Sequence, residues 1–272
     1  EIFPWGLSPS FYLPNERLFC YLSWELPNRL FYSETSRLCL KNLTERIIVI
    51  MENEYLKLKE FWNEYFKNSQ TFEVAGKWIE DENFNSAIKK YIREGAKVLD
   101  FGCGNGWGLI EIAYTVNLGE GIGMDQSEYA VECSNRTVEA SNIGNLKFVV
   151  GDETTMDNYR DYFDVVFSIN TFDVITNEAL ENVALGCQKV LQKGGYLLVG
   201  LNPDYPMSFL EKAGYEKKNG YLIKNDIIRG NFKTTDEWIE FLSKYFTFVE
   251  KVDFALTELD KTYPRRMLVL KK

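Results

Sequence analysis

The segment VLDFGCGNGWG, at residues 98–108, constrains the fold of this 272-residue chain more than any other part of it. Its first residues read as a buried strand, and glycines at alternate positions then predict a tight turn that leads into a helix. In open parallel sheets, ligands bind outside the carboxyl ends of the strands, at the turn after the first strand. We therefore expect a binding site at the turn that follows Asp100.

Strand-like and helical segments alternate along residues 51–272, which predicts an α/β fold with helices on both faces of a mostly parallel sheet. The strand-like runs are KVLDF (97–101), GIGMD (121–125), LKFVV (146–150), FDVVFSI (163–169), GYLLVGL (195–201), FTFVEKVDFAL (246–256) and RRMLVLK (265–271). The predicted helices cover residues 51–67, 83–94, 107–116, 127–140, 178–192 and 235–244. A short connection joins the last two strands, so we expect them to pair antiparallel.

The composition excludes several classes of chemistry. The chain has no histidine, which removes the usual near-neutral general base and the commonest metal ligand. Its five cysteines form no CxxC pair, so we expect no metal site and the reduced thiols of a cytoplasmic protein. A net charge of −9 without a basic cluster argues against nucleic-acid binding. No apolar run approaches the roughly 20 residues of a membrane span.

Two stretches interrupt the regular pattern. Residues 1–50 hold four of the seven prolines and no aspartate, and we expect an atypical extension upstream of a natural start at Met51. A loosely ordered native arm is the alternative. Residues 202–233 form an insert within the domain 51–272, and Asn219-Gly220 predicts a hairpin turn in it. Thr234 and Glu237 match a capping box at the start of the following helix.

The glycine turn distinguishes two classes of cofactor. The dinucleotide pattern G-x-G-x-x-G/A would place its third small residue at Trp107, whose indole obstructs close packing of helix and strand. The turn instead combines Asp100 with glycines 102, 104 and 106. This pattern resembles motif I of class I, Rossmann-like, S-adenosylmethionine (SAM)-dependent methyltransferases. The resemblance implies a three-layer sandwich with a seven-stranded sheet and an antiparallel last strand.

The same resemblance implies how the turn holds SAM. Asp100 would orient the methionine end of the cofactor, and Gly102 and Gly104 would pass close beneath it. Asn105 and Gly106 complete the cofactor-binding turn.

Later segments match further motifs of the family in order and spacing. Asp125 ends the second strand, where a carboxylate accepts hydrogen bonds from ribose hydroxyls in both NAD and SAM enzymes. The resemblance places Gln126 beside the adenine, Asp152 on its amino group with the Glu153 backbone, and Asn170 in the cofactor pocket through its backbone. Asp164 and the Gly194-Gly195 pair match structural positions of the family.

The methyl acceptor is the least constrained part of the prediction. Residues 170–173, Asn-Thr-Phe-Asp, lack the Asn/Asp-Pro-Pro-aromatic motif of enzymes that methylate nucleic-acid or glutamine amino groups. Together with the acidic charge, this favours a small-molecule acceptor methylated by in-line displacement. We expect residues 51–67 and 202–233 to form a lid over it. Asp173 and Tyr205 are the predicted catalytic residues, and Asp204 is a further possible base.

Two other functions are compatible with the same turn, and a cofactor-binding measurement distinguishes one of them from a methyltransferase. An NAD(P)-dependent oxidoreductase shares the ribose carboxylate, and a non-catalytic SAM-binding protein shares every motif. We predict that isothermal titration shows saturable binding of SAM and none of NADH, because Trp107 closes the dinucleotide packing site. Binding of NADH without SAM would contradict the assignment of the turn.

Overall fold

The computed structural model of the protein describes residues 57–272, without the side chain of Glu178. The predicted extension 1–50 and the first six residues of the predicted helix 51–67 lie outside this range. Residues 57–67 are helical and are called α1 here. No helix among residues 57–272 combines the length and apolar character that a membrane crossing requires.

The described chain alternates strands and helices as the sequence predicts. The strands are β1 (Lys97–Phe101), β2 (Glu120–Asp125), β3 (Leu146–Val150), β4 (Phe163–Ile169), β5 (Leu191–Leu201), β6 (Glu216–Lys218), β7 (Tyr221–Lys224), β8 (Ile227–Asn231), β9 (Thr247–Phe254) and β10 (Arg265–Lys271). The helices after α1 are α2 (Glu82–Tyr91), α3 (Trp107–Thr115), α4 (Glu128–Ala140), α5 (Asn177–Val190), α6 (Met207–Lys212) and α7 (Thr235–Leu242). Short 3₁₀ helices lie at Thr155–Tyr159, Phe172–Val174 and Leu259–Lys261.

Seven strands form one sheet in the order β3-β2-β1-β4-β5-β10-β9. Strands β1 to β5 pair in parallel, so their carboxyl ends share one edge of the sheet. Strand β10 runs antiparallel to both β5 and β9, which confirms the predicted Rossmann-like sandwich with its reversed last strand. Because β10 is reversed, its first residue, Arg265, lies at the edge where the parallel strands end.

Helices cover both faces of the sheet, which is why its central strands are mostly apolar. Val98 and Leu99 of β1 are both fully buried, yet they belong to different core clusters on opposite faces. One cluster includes Phe84 of α2, and the other includes Leu180 of α5 and Trp238 of α7.

The insert forms a small antiparallel sheet of its own, β6-β7-β8. Asn219 and Gly220 both have positive φ, 52° and 82°, as a type I′ turn requires, so the predicted hairpin is confirmed. The third strand, β8, was not predicted. The capping box at α7 is also confirmed, because the Thr234 N–H donates to Glu237 Oε2 (2.7 Å) and the Glu237 N–H donates to Thr234 Oγ1 (3.2 Å).

Three predicted helix ends were wrong, and the one predicted at residue 244 lies at Leu242. The helix predicted for 83–94 ends at Tyr91, because Ile92 is already extended. The helix predicted for 178–192 ends at Val190, and β5 begins at Leu191 rather than at 195. Leu191 pairs with Phe163 of β4 ahead of a register shift. The contact that sets this boundary joins residues far apart in sequence, so local periodicity does not reveal it.

A buried carboxylate on α3 fixes the extended segment that precedes α2. Glu111 accepts hydrogen bonds from the Trp78 N–H (3.0 Å) and the Ile79 N–H (3.1 Å). We predict that Glu111→Gln lowers the free energy of unfolding by about 1–3 kcal/mol, because an amide NH₂ then faces a backbone N–H. Urea denaturation measures this effect.

The matched control is Glu132→Gln, on the exposed face of α4, where the carboxylate only pairs with Arg136 (3.3 Å). That change should alter stability by less than about 0.5 kcal/mol. Equal stability of the two variants would show that Glu111 does not anchor the segment.

Candidate functional site

The turn between β1 and α3 is a close-packed glycine loop. Gly102, Gly104 and Gly106 all have positive φ, at 72°, 53° and 81°. A Cβ at Gly106 would lie 2.7 Å from the Phe148 ring, and one at Gly102 would overlap the side chain of Thr171. Glycine is therefore required here for both conformation and space.

Asp100 lies beneath this loop, buried at the end of β1. Burial, and then the negative charge of Asp125, raises the pKa of Asp100 to about 8, although the Leu109 N–H lowers it in part. A carboxyl group with this pKa is mostly protonated at neutral pH. A cation placed on the loop would favour its ionised form.

Asp125 ties the end of β2 to the glycine loop. Its Oδ2 accepts a hydrogen bond from the Gly104 N–H (2.8 Å), and its Oδ1 accepts one from the Ser127 N–H (2.8 Å). The side chain is only 1% exposed. The structure thus brings two predicted cofactor residues, Gly104 and Asp125, into direct contact.

Three more predicted cofactor residues follow β2 and β3. Gln126 is buried directly after Asp125. Asp152 caps the turn after β3, where its Oδ1 accepts from the Thr154 N–H (2.9 Å). Glu153 is buried, and burial followed by the charge of Asp152 raises its pKa to about 9. These residues lie at the carboxyl ends of neighbouring strands, on the same edge of the sheet as the loop.

A cavity of about 930 Å³ opens beside the loop. Of the ten predicted cofactor residues, Asn105 and Asn170 line it. The other eight do not line it: three are glycines of the loop, and the remainder lie at or just after the carboxyl ends of β1, β2 and β3. Trp62 and Phe66 of α1 pack against Ala130 of α4. The Phe66 ring lies 3.0 Å from the position of a Cβ on Gly104.

The two segments predicted to form a lid contact one another. The Arg229 guanidinium of β8 lies 3.9 Å from the ring centroid of Phe61 and 5.5 Å from that of Trp62, both on α1. Ile227 of β8 packs against the same apolar cluster. The insert therefore packs against the helix that contacts the loop.

The two predicted catalytic residues do not line the cavity. Asp173 is buried, and its Oδ2 accepts from the Asn202 N–H (2.6 Å), which holds the end of β5. Tyr205 stacks on Phe209, with ring centroids 5.0 Å apart, and burial raises its pKa. Both side chains have packing roles in this structure, and their catalytic roles stay predictions.

The cavity also contains residues that the sequence did not single out. Trp78, Glu80 and Asp81 come from the segment before α2, and Arg265 comes from the start of β10. The segment before α2 has no strand or helix period. Arg265 opens a strand that otherwise reads as apolar core. The pair Arg265-Arg266 at the start of a buried strand was the one signal that could have drawn attention to it.

The loop has the features that the predicted contacts with SAM require. Its backbone turns through three left-handed glycines without side chains, and buried carboxylates stand at the ends of β1 and β2. Asn170, which follows β4, has a positive φ of 51°, and its N–H donates to the Gly200 carbonyl (2.7 Å).

Among residues 57–272, no group of three potential metal-ligand side chains comes together.

Known proteins of similar sequence and structure transfer methyl groups. Residues 92–240 match the family described as a methyltransferase domain. EEF1A lysine methyltransferase 2 from Homo sapiens is 29% identical over an alignment of 159 residues that covers 53% of this chain and 67% of that protein. Sterol 24-C-methyltransferase from Pneumocystis carinii is 32% identical over an alignment of 129 residues that covers 44% of this chain and 33% of that protein.

A solved structure with a similar fold is also that of a methyltransferase. The crystal structure of a SAM-dependent methyltransferase from Methanosarcina mazei aligns with a TM-score of 0.59 at 18% identity, and the alignment covers 68% of this chain and 96% of that one. These three relatives are named as methyltransferases, and two of the names give a class of acceptor, a protein lysine and a sterol.

The raised pKa of Asp100 gives a test of the loop. SAM carries a positive sulfonium, so its binding should lower the pKa of Asp100 from about 8 and release a proton near pH 7. SAM affinity should therefore rise with pH up to about 8. Titration calorimetry in two buffers of different ionisation enthalpy measures the proton release. In Asp100→Asn it should be smaller, and an unchanged value would contradict this role of Asp100.

Proposed function

Because the chain belongs to the methyltransferase domain family and uses SAM as its methyl donor, we propose that it methylates the side-chain nitrogen of a protein lysine. The observation that carries this proposal is the cavity beside the glycine loop, which combines carboxylates with exposed aromatic rings. The lysine methyltransferase among the relatives supports the same acceptor class.

The cofactor would lie across the loop with its adenosine on the side that α1 covers. In this proposal Asp125 accepts the ribose hydroxyls, and the glycine loop supports the methionine end. The remaining predicted contacts keep the roles given by the family resemblance: Asp100, Asn105, Gln126, Asp152, Glu153 and Asn170. The direct bond between Gly104 and Asp125 supports this arrangement, because it holds ribose and methionine positions in one rigid unit.

The charge of the cavity favours a cationic acceptor. Carboxylates of Glu80, Asp81 and Glu258 line it, against the two cations Lys261 and Arg265. The Arg265 charge is already balanced by Asp260 (2.8 Å), a residue outside the cavity lining. A lysine ammonium would therefore enter a net negative environment, and the chain's charge of −9 would attract a basic protein from a distance.

The exposed rings of the cavity suit the same acceptor. Trp78 is 41% exposed and Tyr65 is 44% exposed, although both are large aromatic side chains. Aromatic faces attract ammonium groups, and they remain attractive to methylated ones. We propose that these two rings flank the acceptor side chain.

The chain's own residues would position the acceptor and the cofactor rather than activate the methyl group. SAM supplies a methyl group on a sulfonium sulfur, so that a neutral thioether would leave when the methyl group is transferred. The acceptor nitrogen has to lose its proton, and the Glu80 carboxylate at the rim can receive it directly or through water. Trp62, Phe66 and Arg229 keep water away from the covered side of the loop.

A small-molecule acceptor, as the sequence predicts, is the second candidate. The sterol methyltransferase among the relatives favours it. The cavity volume of about 930 Å³ also lies within the range typical of small-molecule sites.

Labelled methyl transfer distinguishes these candidates. The protein is incubated with radiolabelled SAM and either a cell lysate or the same lysate after its lysines have been blocked by exhaustive acetylation, which converts each amine into a non-nucleophilic amide. We expect label in the protein fraction of the first lysate and little in the second. Label confined to the metabolite fraction would support the small-molecule candidate instead, and absence of transfer would point to a non-catalytic SAM-binding protein.

A substitution at Trp78 tests the proposed contact between the exposed rings and the acceptor. Trp78→Ala should lower kcat/KM for the lysine acceptor by roughly tenfold, in line with the loss of one cation–π contact. Phe72→Ala is the matched control, because Phe72 is 52% exposed and lies outside the cavity lining. Equal effects of the two changes would contradict a role for Trp78 in acceptor binding.

A further inference from the structure

A buried arginine forms part of the cavity wall. Arg265 is 0% exposed, and it lines the cavity together with Asn105, Trp107 and Asn170. It reaches this place because β10 runs antiparallel to β5, which brings the first residue of β10 to the edge where the parallel strands end. A charged side chain so deeply buried needs partners for each of its polar groups.

Most of the guanidinium is paired, but one nitrogen is not. Its Nε donates to Asp260 Oδ2 (2.8 Å), and its Nη1 donates to Asn170 Oδ1 (2.6 Å) and Asn202 Oδ1 (3.2 Å). Within residues 57–272, Nη2 has no hydrogen-bond partner. An unpaired charged donor is costly in a protein interior. A ligand group that accepts from Nη2 would remove that cost.

A second unpaired donor belongs to the same cluster. Asn202 accepts from Arg265 through its Oδ1, and its Nδ2 has no partner in the described part of the chain. The cluster also holds one unpaired acceptor, Asp260 Oδ1. Its two free donors beside a guanidinium fit a group that only accepts hydrogen bonds. A carboxylate is such a group, and the planar guanidinium matches its geometry.

The cluster also adjoins the glycine loop. Asn170, which holds Arg265 Nη1, is followed by Thr171, whose side chain fills the space left by the missing Cβ of Gly102. The methionine end of SAM is proposed to lie over Gly102, and that end carries a carboxylate. Lys261, the other cation of the cavity, is 66% exposed and already pairs with Glu258 (2.6 Å), so it is less suited to a fixed site.

We propose that Arg265 binds the methionine carboxylate of SAM through Nη2. The proposal rests on the placement of SAM at the glycine loop. It assigns a cofactor contact to the last strand of the sheet, outside the motifs of the loop. Asp260 keeps the guanidinium oriented, and Asn170 joins this contact to the loop.

The test compares SAM with decarboxylated SAM, which lacks only that carboxylate, by isothermal titration. We expect the wild-type protein to bind SAM more tightly by roughly ten- to a hundredfold, as a charge-assisted hydrogen bond allows. Arg265→Lys should lose most of this preference. Arg266→Lys is the matched control, because Arg266 donates to the Asn202 carbonyl (2.8 Å) and does not line the cavity.

Arg265→Lys could unfold the protein, since it disturbs a buried ion pair. The double variant Arg265→Gln with Asp260→Asn removes both charges together, which avoids leaving a lone buried carboxylate. It should fold, as thermal unfolding can verify, and bind SAM and decarboxylated SAM about equally.

The outcomes separate this inference from the placement of SAM. A wild-type preference that persists in the Arg265 variants, or no preference in the wild type, would overturn the role of Arg265 and leave SAM binding intact. Failure of the wild-type protein to bind either compound would overturn both.

Discussion

The hydrogen bond from the Gly104 N–H to the Asp125 carboxylate joins the two strand ends on which the rest of the site depends. It fixes a loop whose three glycines all have left-handed backbone conformations and are closely packed against neighbouring side chains. It also buries the Asp125 charge near Asp100, which contributes to the raised pKa of that group. The loop is therefore both a rigid support and a site that favours a cation.

The acceptor side of the molecule depends on different contacts. Glu111 holds the segment that carries Trp78 and Glu80 to the cavity, and the reversed β10 brings Arg265 to its wall. The cavity thus has an acidic and aromatic rim and one buried cation near the loop. We interpret the buried cation as the site of the cofactor carboxylate, near Asn170, and the acidic and aromatic rim as the site of an amine acceptor.

Sequence patterns were sufficient to predict secondary-structure elements where local signals were strong. The bounds of β1, β3, β4 and β10 were predicted to the residue, because each is a short apolar run bounded by polar or turn residues. The glycine loop was recognised for the same reason. Asp173 shows the limit, because its partner Asn202 is 29 residues away, so the local sequence does not reveal this contact, and the catalytic role of Asp173 stays a prediction. Arg265 and Trp78 were missed because only the long-range pairing of β10 and the Glu111 contacts bring them to the cavity.

A crystal structure with S-adenosylhomocysteine would test the account most directly, because it shows where the cofactor lies. We expect the ribose hydroxyls within hydrogen-bond distance of the Asp125 carboxylate and the methionine part over Gly102 and Gly104. The α1 residues Trp62 and Phe66 should cover the nucleoside. A nucleoside bound elsewhere, with the Asp125 carboxylate facing no ribose, would contradict the assignment of the glycine loop as the methyl-donor site.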